Sequence, residues 1–150
     1  FRRVLFRSKP EGGAVVSLRL PFRPVAEAAP PMLVLLVEDD SDIRETVREM
    51  LRGLGHAVME AATVPEALML AEVPGIGLVL SDIQLGAGNG AELLCLLMAQ
   101  GHPARMLLMS ALPPHDPRRA QAPVPVLGKP FDAEALADAL ALAMGREAAA

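Results

Sequence analysis

The stretch Leu78-Val79-Leu80-Ser81-Asp82 decides the fold that we expect for this chain. An apolar run leads straight into a carboxylate, and a glycine-rich loop, residues 86–90, follows at once. Such a run is typical of a parallel strand that is buried on both faces. Open α/β sheets carry their reactive groups at the carboxyl ends of their strands. The stretch therefore predicts a buried strand that presents Asp82 at the functional edge of a sheet.

On either side of this stretch, residues 32–146 alternate between strand patterns and helix patterns. The expected strands lie at 32–37, 57–61, 77–81, 105–109 and 124–127. The expected helix starts are Ser41 or Asp42, Thr63, Asn89 or Gly90, and Asp132. Five prolines between residues 113 and 125 argue against a full fourth helix. The alternation predicts an α/β fold, a doubly wound five-stranded parallel sheet with helices on both faces.

Composition narrows the classes of function. The chain has 150 residues, a formal net charge of −4 and 52% hydrophobic residues. It lacks the basic footprint of a nucleic-acid-binding domain, and an anionic membrane would not attract it. The single cysteine, Cys95, excludes an internal disulfide and is expected as a small core or boundary residue. Without a signal peptide or a membrane-spanning apolar run, we expect a cytoplasmic protein with no direct contact to nucleic acid or membrane.

Polar side chains follow four of the predicted strands at the point where each strand ends. They are Glu38 and Asp39, Asp82, Ser110 and Lys129. Carboxylates gathered in one site repel one another unless a cation lies between them, and Mg²⁺ takes such oxygen ligands. In such a site Asp82 can attack phosphorus as a carboxylate nucleophile and form an aspartyl phosphate. The lysine ammonium and the serine hydroxyl can then stabilise the charge on the phosphoryl oxygens.

Four motifs at these strand ends resemble the response-regulator receiver domain. They are Val-Glu-Asp-Asp at 37–40, Leu-Ser-Asp-Ile-Gln-Leu at 80–85, Met-Ser-Ala at 109–111 and Lys-Pro-Phe at 129–131. The resemblance covers residues 32–145 and implies a flavodoxin-like sheet with the strand order 2-1-3-4-5. It also implies that Asp82 accepts a phosphoryl group from a phosphohistidine on a partner protein or domain.

The same resemblance implies roles for the other strand-end residues. Asp39 would bind Mg²⁺ directly and Glu38 largely through water, with Asp82 and the backbone carbonyl of Gln84 completing the metal site. Ser110 would be the switch hydroxyl and Lys129 the lysine that contacts the phosphoryl group.

Three features depart from the family pattern. Gly86 stands where the family often has proline, and we expect a looser loop there. The proline-rich segment 113–125 replaces the fourth helix, and Val126 replaces an aromatic residue that often couples to the switch hydroxyl. The last two departures affect how a signal would leave the domain, whereas the positions for phosphoryl transfer are filled.

The segments before the domain differ from it in composition. Residues 1–8 read like a translated sequencing adapter and are interpreted as an artefact; the alternative is a strand of a truncated upstream domain. Residues 9–21 resemble the last strand of a histidine-kinase ATP-binding domain, on the matches Gly13, Val16, Leu18, Leu20 and Pro21. An ordinary edge strand or a disordered leader is the alternative, and in either case a lone strand should be poorly ordered. Residues 22–31 are a Pro/Ala linker, 32–146 the receiver, and 147–150 a tail.

Together these features favour a phosphorelay receiver, placed at the C-terminus of a hybrid histidine kinase. The alternatives are a stand-alone single-domain response regulator and a pseudo-receiver that only binds other proteins. A flavodoxin-like nucleotide or flavin binder with residues 86–90 as a phosphate cradle is disfavoured, because the acidic run 38–40 would repel phosphate. His56, His102 and His115 are expected in loops or at the surface, outside any helical phosphoacceptor context. The chain alone is therefore not expected to act as a kinase.

Overall fold

The structure is a computed structural model that describes residues 2–5, 17–20 and 28–145. The strands are β1 (Arg2–Leu5), β2 (Ser17–Leu20), β3 (Leu33–Val37), β4 (Ala57–Ala61), β5 (Ile76–Asp82), β6 (Gln84–Leu85), β7 (Gly88–Asn89), β8 (Arg105–Ser110) and β9 (Val126–Gly128). The helices are α1 (Ser41–Gly53), α2 (Val64–Leu70), α3 (Gly90–Ala99), α4 (Pro117–Ala120) and α5 (Ala133–Ala143). Within this described part, no helix has the length and apolar character needed to cross a bilayer.

Five strands form the central sheet, in the order β4-β3-β5-β8-β9. Every neighbouring pair in this sheet is parallel. Counted along the chain, the order is 2-1-3-4-5, and the predicted doubly wound topology is confirmed. Because the strands are parallel, their carboxyl ends meet at one edge, with β5 in the middle.

Apolar side chains project from both faces of the sheet. Along β3, Val34 and Leu36 pack against α1 and α5, whereas Leu35 and Val37 pack on the opposite face among residues of α2 and α3. All four are fully buried, as the continuous apolar run predicts. Each such side chain contributes roughly 1.5–3 kcal/mol on burial, and the sheet is held between two helical layers.

A side-chain cap begins each of the five helices in the described part of the chain. Thr63, Asn89 and Asp132 cap α2, α3 and α5, in agreement with the sequence. The prediction that Ser41 or Asp42 caps α1 is wrong, since the cap is Asp40. Its Oδ1 accepts hydrogen bonds from the backbone N–H groups of Asp42 at 2.9 Å and Ile43 at 3.1 Å. The helix therefore starts immediately beyond the acidic strand end.

The segment between β8 and α5 contains one short helix and the last strand. The expected loss of a full fourth helix is confirmed, because α4 has only four residues. The last strand begins later than predicted, at Val126 instead of residue 124. Pro125 has no backbone N–H to donate, although its carbonyl still accepts from Leu108 N at 3.0 Å.

Two side-chain placements differ from the sequence-based expectations. Cys95 is exposed instead of lying in the core or at its boundary. The buried face of α3 carries Leu93, Leu94 and Leu97, and Cys95 lies on the opposite side. His56, expected in a loop or at the surface, lies in a loop but is buried, and its Nδ1 accepts from Met32 N at 3.3 Å. Burial lowers the pKa of His56 and favours the neutral ring that this contact requires.

The upstream strand has a partner. Strand β2 pairs with β1 in an antiparallel register that joins Arg2 to Leu20 and Leu5 to Ser17. The prediction of a lone strand in residues 9–21 is therefore wrong, because its partner β1 lies in residues 1–8, whose sequence predicts an artefact. The remaining residues of the kinase-like match, Gly13, Val16 and Pro21, lie outside the described residues.

Gly90 is the closest packing point beside the strand that carries Asp82. A Cβ built on Gly90 would lie 1.8 Å from the Asp82 carbonyl oxygen and 2.6 Å from Ser81 Oγ. Its N–H donates to the Ile83 carbonyl at 2.9 Å, which ties the start of α3 to the end of β5. Only a residue without a side chain fits this contact.

We predict that Gly90→Ala lowers the free energy of unfolding by about 3 kcal/mol, because backbone atoms must move to admit the methyl group. The matched control is Gly53→Ala at the end of α1, where nothing lies within 4 Å of the added Cβ. Urea denaturation of the two variants and the wild type measures the difference. Equal stability of Gly90→Ala and Gly53→Ala would contradict the packing described here.

Candidate metal and phosphoryl site

The carboxyl edge of the sheet brings three of the predicted acidic residues together. Glu38 and Asp39 follow β3, and Asp82 ends β5 beside it. One carboxylate oxygen from each lies within 4.8 Å of the other two. Glu38 and Asp82 are buried, whereas Asp39 is exposed. The cluster thus has two buried carboxylates and one that faces the solvent.

Lys129 closes this cluster from the end of β9. Its Nζ donates to Glu38 Oε2 at 2.6 Å and to Asp82 Oδ2 at 2.6 Å. Its backbone N–H donates to the Ser110 carbonyl at 2.8 Å, which fixes the residue beside β8. The Lys129–Pro130 peptide bond is cis. Four of the five predicted strand-end residues therefore meet through direct contacts or within one cluster.

Backbone groups hold the two buried carboxylates in place. Asp82 Oδ1 accepts from Gln84 N at 3.0 Å, and Glu38 Oε1 accepts from Asp40 N at 3.2 Å. Arg44 Nη1 donates to the Glu38 carbonyl at 2.8 Å, and its Nε lies 3.5 Å from Glu60 Oε1. Arg44 was not predicted as a site residue, because its contact with the Glu38 carbonyl depends on how α1 packs beside the end of β3.

Burial and charge repulsion oppose ionisation of Glu38. Burial, together with the Asp82 carboxylate nearby, raises the pKa of Glu38 from 4.5 to about 7, despite the hydrogen bond from Lys129. Burial on its own would lower the pKa of Lys129, but its hydrogen bonds to Asp82 and Glu38 outweigh burial and raise that pKa. The ammonium is therefore charged at neutral pH and offsets part of the negative charge beside it.

The donor set fits a hard divalent cation. Glu38, Asp39 and Asp82 offer only oxygen ligands, which suits Mg²⁺, and two of them are buried carboxylates in need of further positive charge. The exposed Asp39 leaves the cluster open on one side, where bound water can remain. The Gln84 N–H contacts the Asp82 carboxylate and so holds Gln84 beside the site. Metal binding by the Gln84 carbonyl stays a prediction.

Ser110 lies at the end of β8, next to the strand of Asp82. It is fully buried, and its Oγ accepts from Leu112 N at 3.0 Å. Val126 pairs with Leu108 in the neighbouring strand and packs against the apolar cluster on the α2 and α3 face. A valine side chain in this place has no ring that could move together with the Ser110 hydroxyl.

Gly86 forms a tight hairpin next to the acidic cluster. Strands β6 and β7 pair Gln84 with Asn89 and Leu85 with Gly88, and two residues remain for the turn. Gly86 has φ of +60°, which proline cannot adopt because its ring fixes φ near −65°. The glycine that departs from the family pattern is thus required by this turn, and the expectation of a looser loop stays a prediction.

An apolar groove of about 430 Å³ lies beside the site. It runs between α1 and the segment that precedes α5, and its lining includes Ile43, Met50, Lys129, Pro130 and Phe131. Because Lys129 belongs to both, a molecule in the groove would lie next to the carboxylate cluster.

Comparison with known proteins places these features in a family. Residues 34–141 match the family described as the response regulator receiver domain. The response regulator protein FleR of Pseudomonas aeruginosa is 33% identical over 111 residues, which are 72% of this chain and 24% of that protein. The transcriptional regulatory protein PdtaR of Mycobacterium tuberculosis is 32% identical over 125 residues, which are 81% of this chain and 60% of that protein. The chain thus spans less than two thirds of either relative.

Solved structures give the same result. The chemotaxis response regulator CheY4 of Vibrio cholerae is 26% identical, with a TM-score of 0.67 over 76% of this chain and 99% of that chain. A response regulator of Burkholderia pseudomallei, crystallised with a phosphorylated aspartic acid, calcium ion and citrate, is 25% identical, with a TM-score of 0.64. That alignment covers 73% of this chain and 66% of that chain. With the sheet order, the acidic edge and a family match over residues 34–141, the chain belongs to the response regulator receiver domains of bacterial two-component systems.

Proposed function

We propose that the domain accepts a phosphoryl group on Asp82 from a phosphohistidine, with Mg²⁺ bound at Glu38, Asp39 and Asp82. The observation that carries the proposal is the contact of the Asp82 carboxylate with Lys129 Nζ at 2.6 Å inside the acidic cluster. The phosphorylated aspartic acid in the Burkholderia pseudomallei structure, a similar fold, supports the same chemistry. Receiver domains in general bind Mg²⁺ at an acidic site and interact with histidine kinases or phosphotransfer proteins.

The transfer is a displacement at phosphorus. A carboxylate oxygen of Asp82 forms the new P–O bond, the P–N bond of the phosphohistidine breaks, and its electron pair leaves with the imidazole. Lys129 has three N–H donors, of which two are directed at Glu38 and Asp82. The third can donate to a phosphoryl oxygen, and the Ser110 hydroxyl can donate to another.

The acidic residues serve the reaction by holding the cation. Asp39 would bind it directly, Glu38 largely through water, and Gln84 through its backbone carbonyl. When bound, Mg²⁺ supplies positive charge to the oxygens of the transferred group. Glu38 and Asp82 are kept oriented by Asp40 N and Gln84 N, so the ligands need little rearrangement.

The groove between α1 and α5 is a fitting place for the phosphodonor. It is mainly apolar, and Lys129 and Asp42 are its charged lining residues. A helix that carries the phosphohistidine and packs an apolar face into this groove would bring the phosphoryl group to the site.

The kind of protein that contains this receiver is also part of the proposal. The short kinase-like match in residues 9–21 supports a C-terminal receiver of a hybrid histidine kinase, located in the cytoplasm. A stand-alone single-domain response regulator is the second candidate; the relatives FleR and PdtaR are regulatory proteins, but both are longer than the segment that matches this chain. The reading frame upstream of Ser8 separates the two. A pseudo-receiver is a weaker candidate, because the acceptor, the acidic cluster and the lysine are all present.

Incubation with Mg²⁺ and a small phosphodonor such as acetyl phosphate tests the proposed function. Intact-mass spectrometry should show the gain of one phosphoryl group on the wild type and none on Asp82→Asn. The control is Asp138→Asn, on the far helix α5, which should be phosphorylated like the wild type. A wild type that gains no phosphoryl group would favour the pseudo-receiver instead.

Asp39→Ala should weaken Mg²⁺ binding by about tenfold to a hundredfold, the loss typical for groups that hold a metal site. The fold should survive, because the Asp39 side chain is exposed and outside the apolar core. Isothermal titration with MgCl₂ measures the affinity, and Glu45→Ala on the exposed face of α1 is the control. Unchanged affinity in Asp39→Ala would refute the ligand assignment.

A further inference from the structure

Two hydrogen bonds connect the Ser110 hydroxyl with the short helix α4. Leu112 N donates to Ser110 Oγ at 3.0 Å. The carbonyl of the same residue accepts from Arg119 Nη1 at 2.6 Å. The Leu112 residue thus lies between a buried site residue and an arginine that no motif pointed to.

The guanidinium of Arg119 lies directly over the end of β9. A Cβ built on Gly128 would be 3.0 Å from Arg119 Nη2 and 3.6 Å from its Cζ, so the guanidinium occupies the space that a side chain would need. Gly128 is the register partner of Ser110 and precedes Lys129. Arg119 therefore binds the Leu112 carbonyl after Ser110 and fills the space over Gly128 in the strand beside it.

Helix α4 is built so that its two arginines have separate tasks. Asp116 caps the helix, Pro117 opens it, and Arg118 pairs with the Asp116 carboxylate at 2.9 Å on the exposed side. Arg119 is half-buried and, within residues 28–145, forms no ion pair. Its planar set of donors is used on the backbone, a task that a lysine ammonium would perform less well.

We propose that Arg119 is the positioning residue for Ser110. A serine hydroxyl has one O–H donor and two acceptor lone pairs. The Leu112 N–H takes one lone pair, so the O–H proton remains to be donated to a phosphoryl oxygen on Asp82. By holding the Leu112 carbonyl, Arg119 keeps that N–H directed at Ser110. The inference rests on the proposed function and adds a residue to it.

The same contacts give the Ser110 loop a partner that Val126 does not provide. A rotation of Ser110 changes the Leu112 contact and, through the Leu112 carbonyl, the Arg119 contact on the surface of α4. The short helix α4 thus places Arg119 between the Ser110 loop and the surface of the domain.

Hydrogen exchange tests the positioning without any phosphoryl transfer. The protection factor of the Leu112 amide should fall about tenfold in Arg119→Ala, as expected when a hydrogen-bonded turn loses one anchoring bond. Arg118→Ala, the neighbouring control, should leave it unchanged. Arg119→Lys should give an intermediate loss. Wild-type protection of Leu112 in Arg119→Ala would overturn the inference.

A double-mutant cycle then tests whether Arg119 acts through Ser110. The initial rate of phosphorylation by acetyl phosphate with Mg²⁺ should fall on the order of threefold to tenfold in Arg119→Ala, the effect of about one hydrogen bond. In a Ser110→Ala background, the same change should have no further effect. Equal fold-losses in both backgrounds would assign Arg119 a general structural role and overturn the inference. Absence of any phosphorylation in the wild type is a different result, which removes the proposed function itself.

Discussion

The placement of three carboxylates at one edge of a sheet is the constraint on which this structure depends. Glu38 and Asp82 are buried side by side, and their oxygens lie within 4.8 Å of an oxygen of Asp39. Two charges at such a distance repel strongly when water is excluded. The Lys129 ammonium, at 2.6 Å from both buried carboxylates, offsets part of this repulsion. In the proposed function, a divalent cation balances the remaining negative charge and in turn binds the phosphoryl group.

The fold holds these three carboxylates in position. Parallel strands buried on both faces bring four chain segments to the same edge, and each contributes a polar side chain there. Asp40 starts α1 immediately beyond the acidic pair, and Arg44 on that helix holds the Glu38 carbonyl. Gly90 lets α3 begin directly against the Asp82 backbone. Apolar packing thus provides a rigid frame, and backbone N–H groups set the orientation of the carboxylates.

The sequence predicted those features that follow from hydrophobic periodicity and from the residues at the strand ends. The five strands, their parallel order and the convergence of Glu38, Asp39, Asp82 and Lys129 were predictable, because apolar runs and the residues after them are local signals. Features that depend on tertiary placement were not predictable from the sequence. They are the contact of Arg44 with the Glu38 carbonyl, the contact of Arg119 with the Leu112 carbonyl, and the exposure of Cys95. The cap of α1 was placed one or two residues late, since Asp40, Ser41 and Asp42 are all good capping residues.

The pKa of Glu38 tests the central claim most directly. A value of about 7 without divalent cations means that the folded state binds a proton more readily than the unfolded chain, so this group adds stability as the pH falls from 7 toward 4.5. The measurement is an NMR titration of the Glu38 side-chain carboxyl carbon, without and with Mg²⁺. We expect a midpoint near 7 that moves to lower pH when Mg²⁺ is added. A midpoint near 4.5 that does not respond to Mg²⁺ would contradict the account.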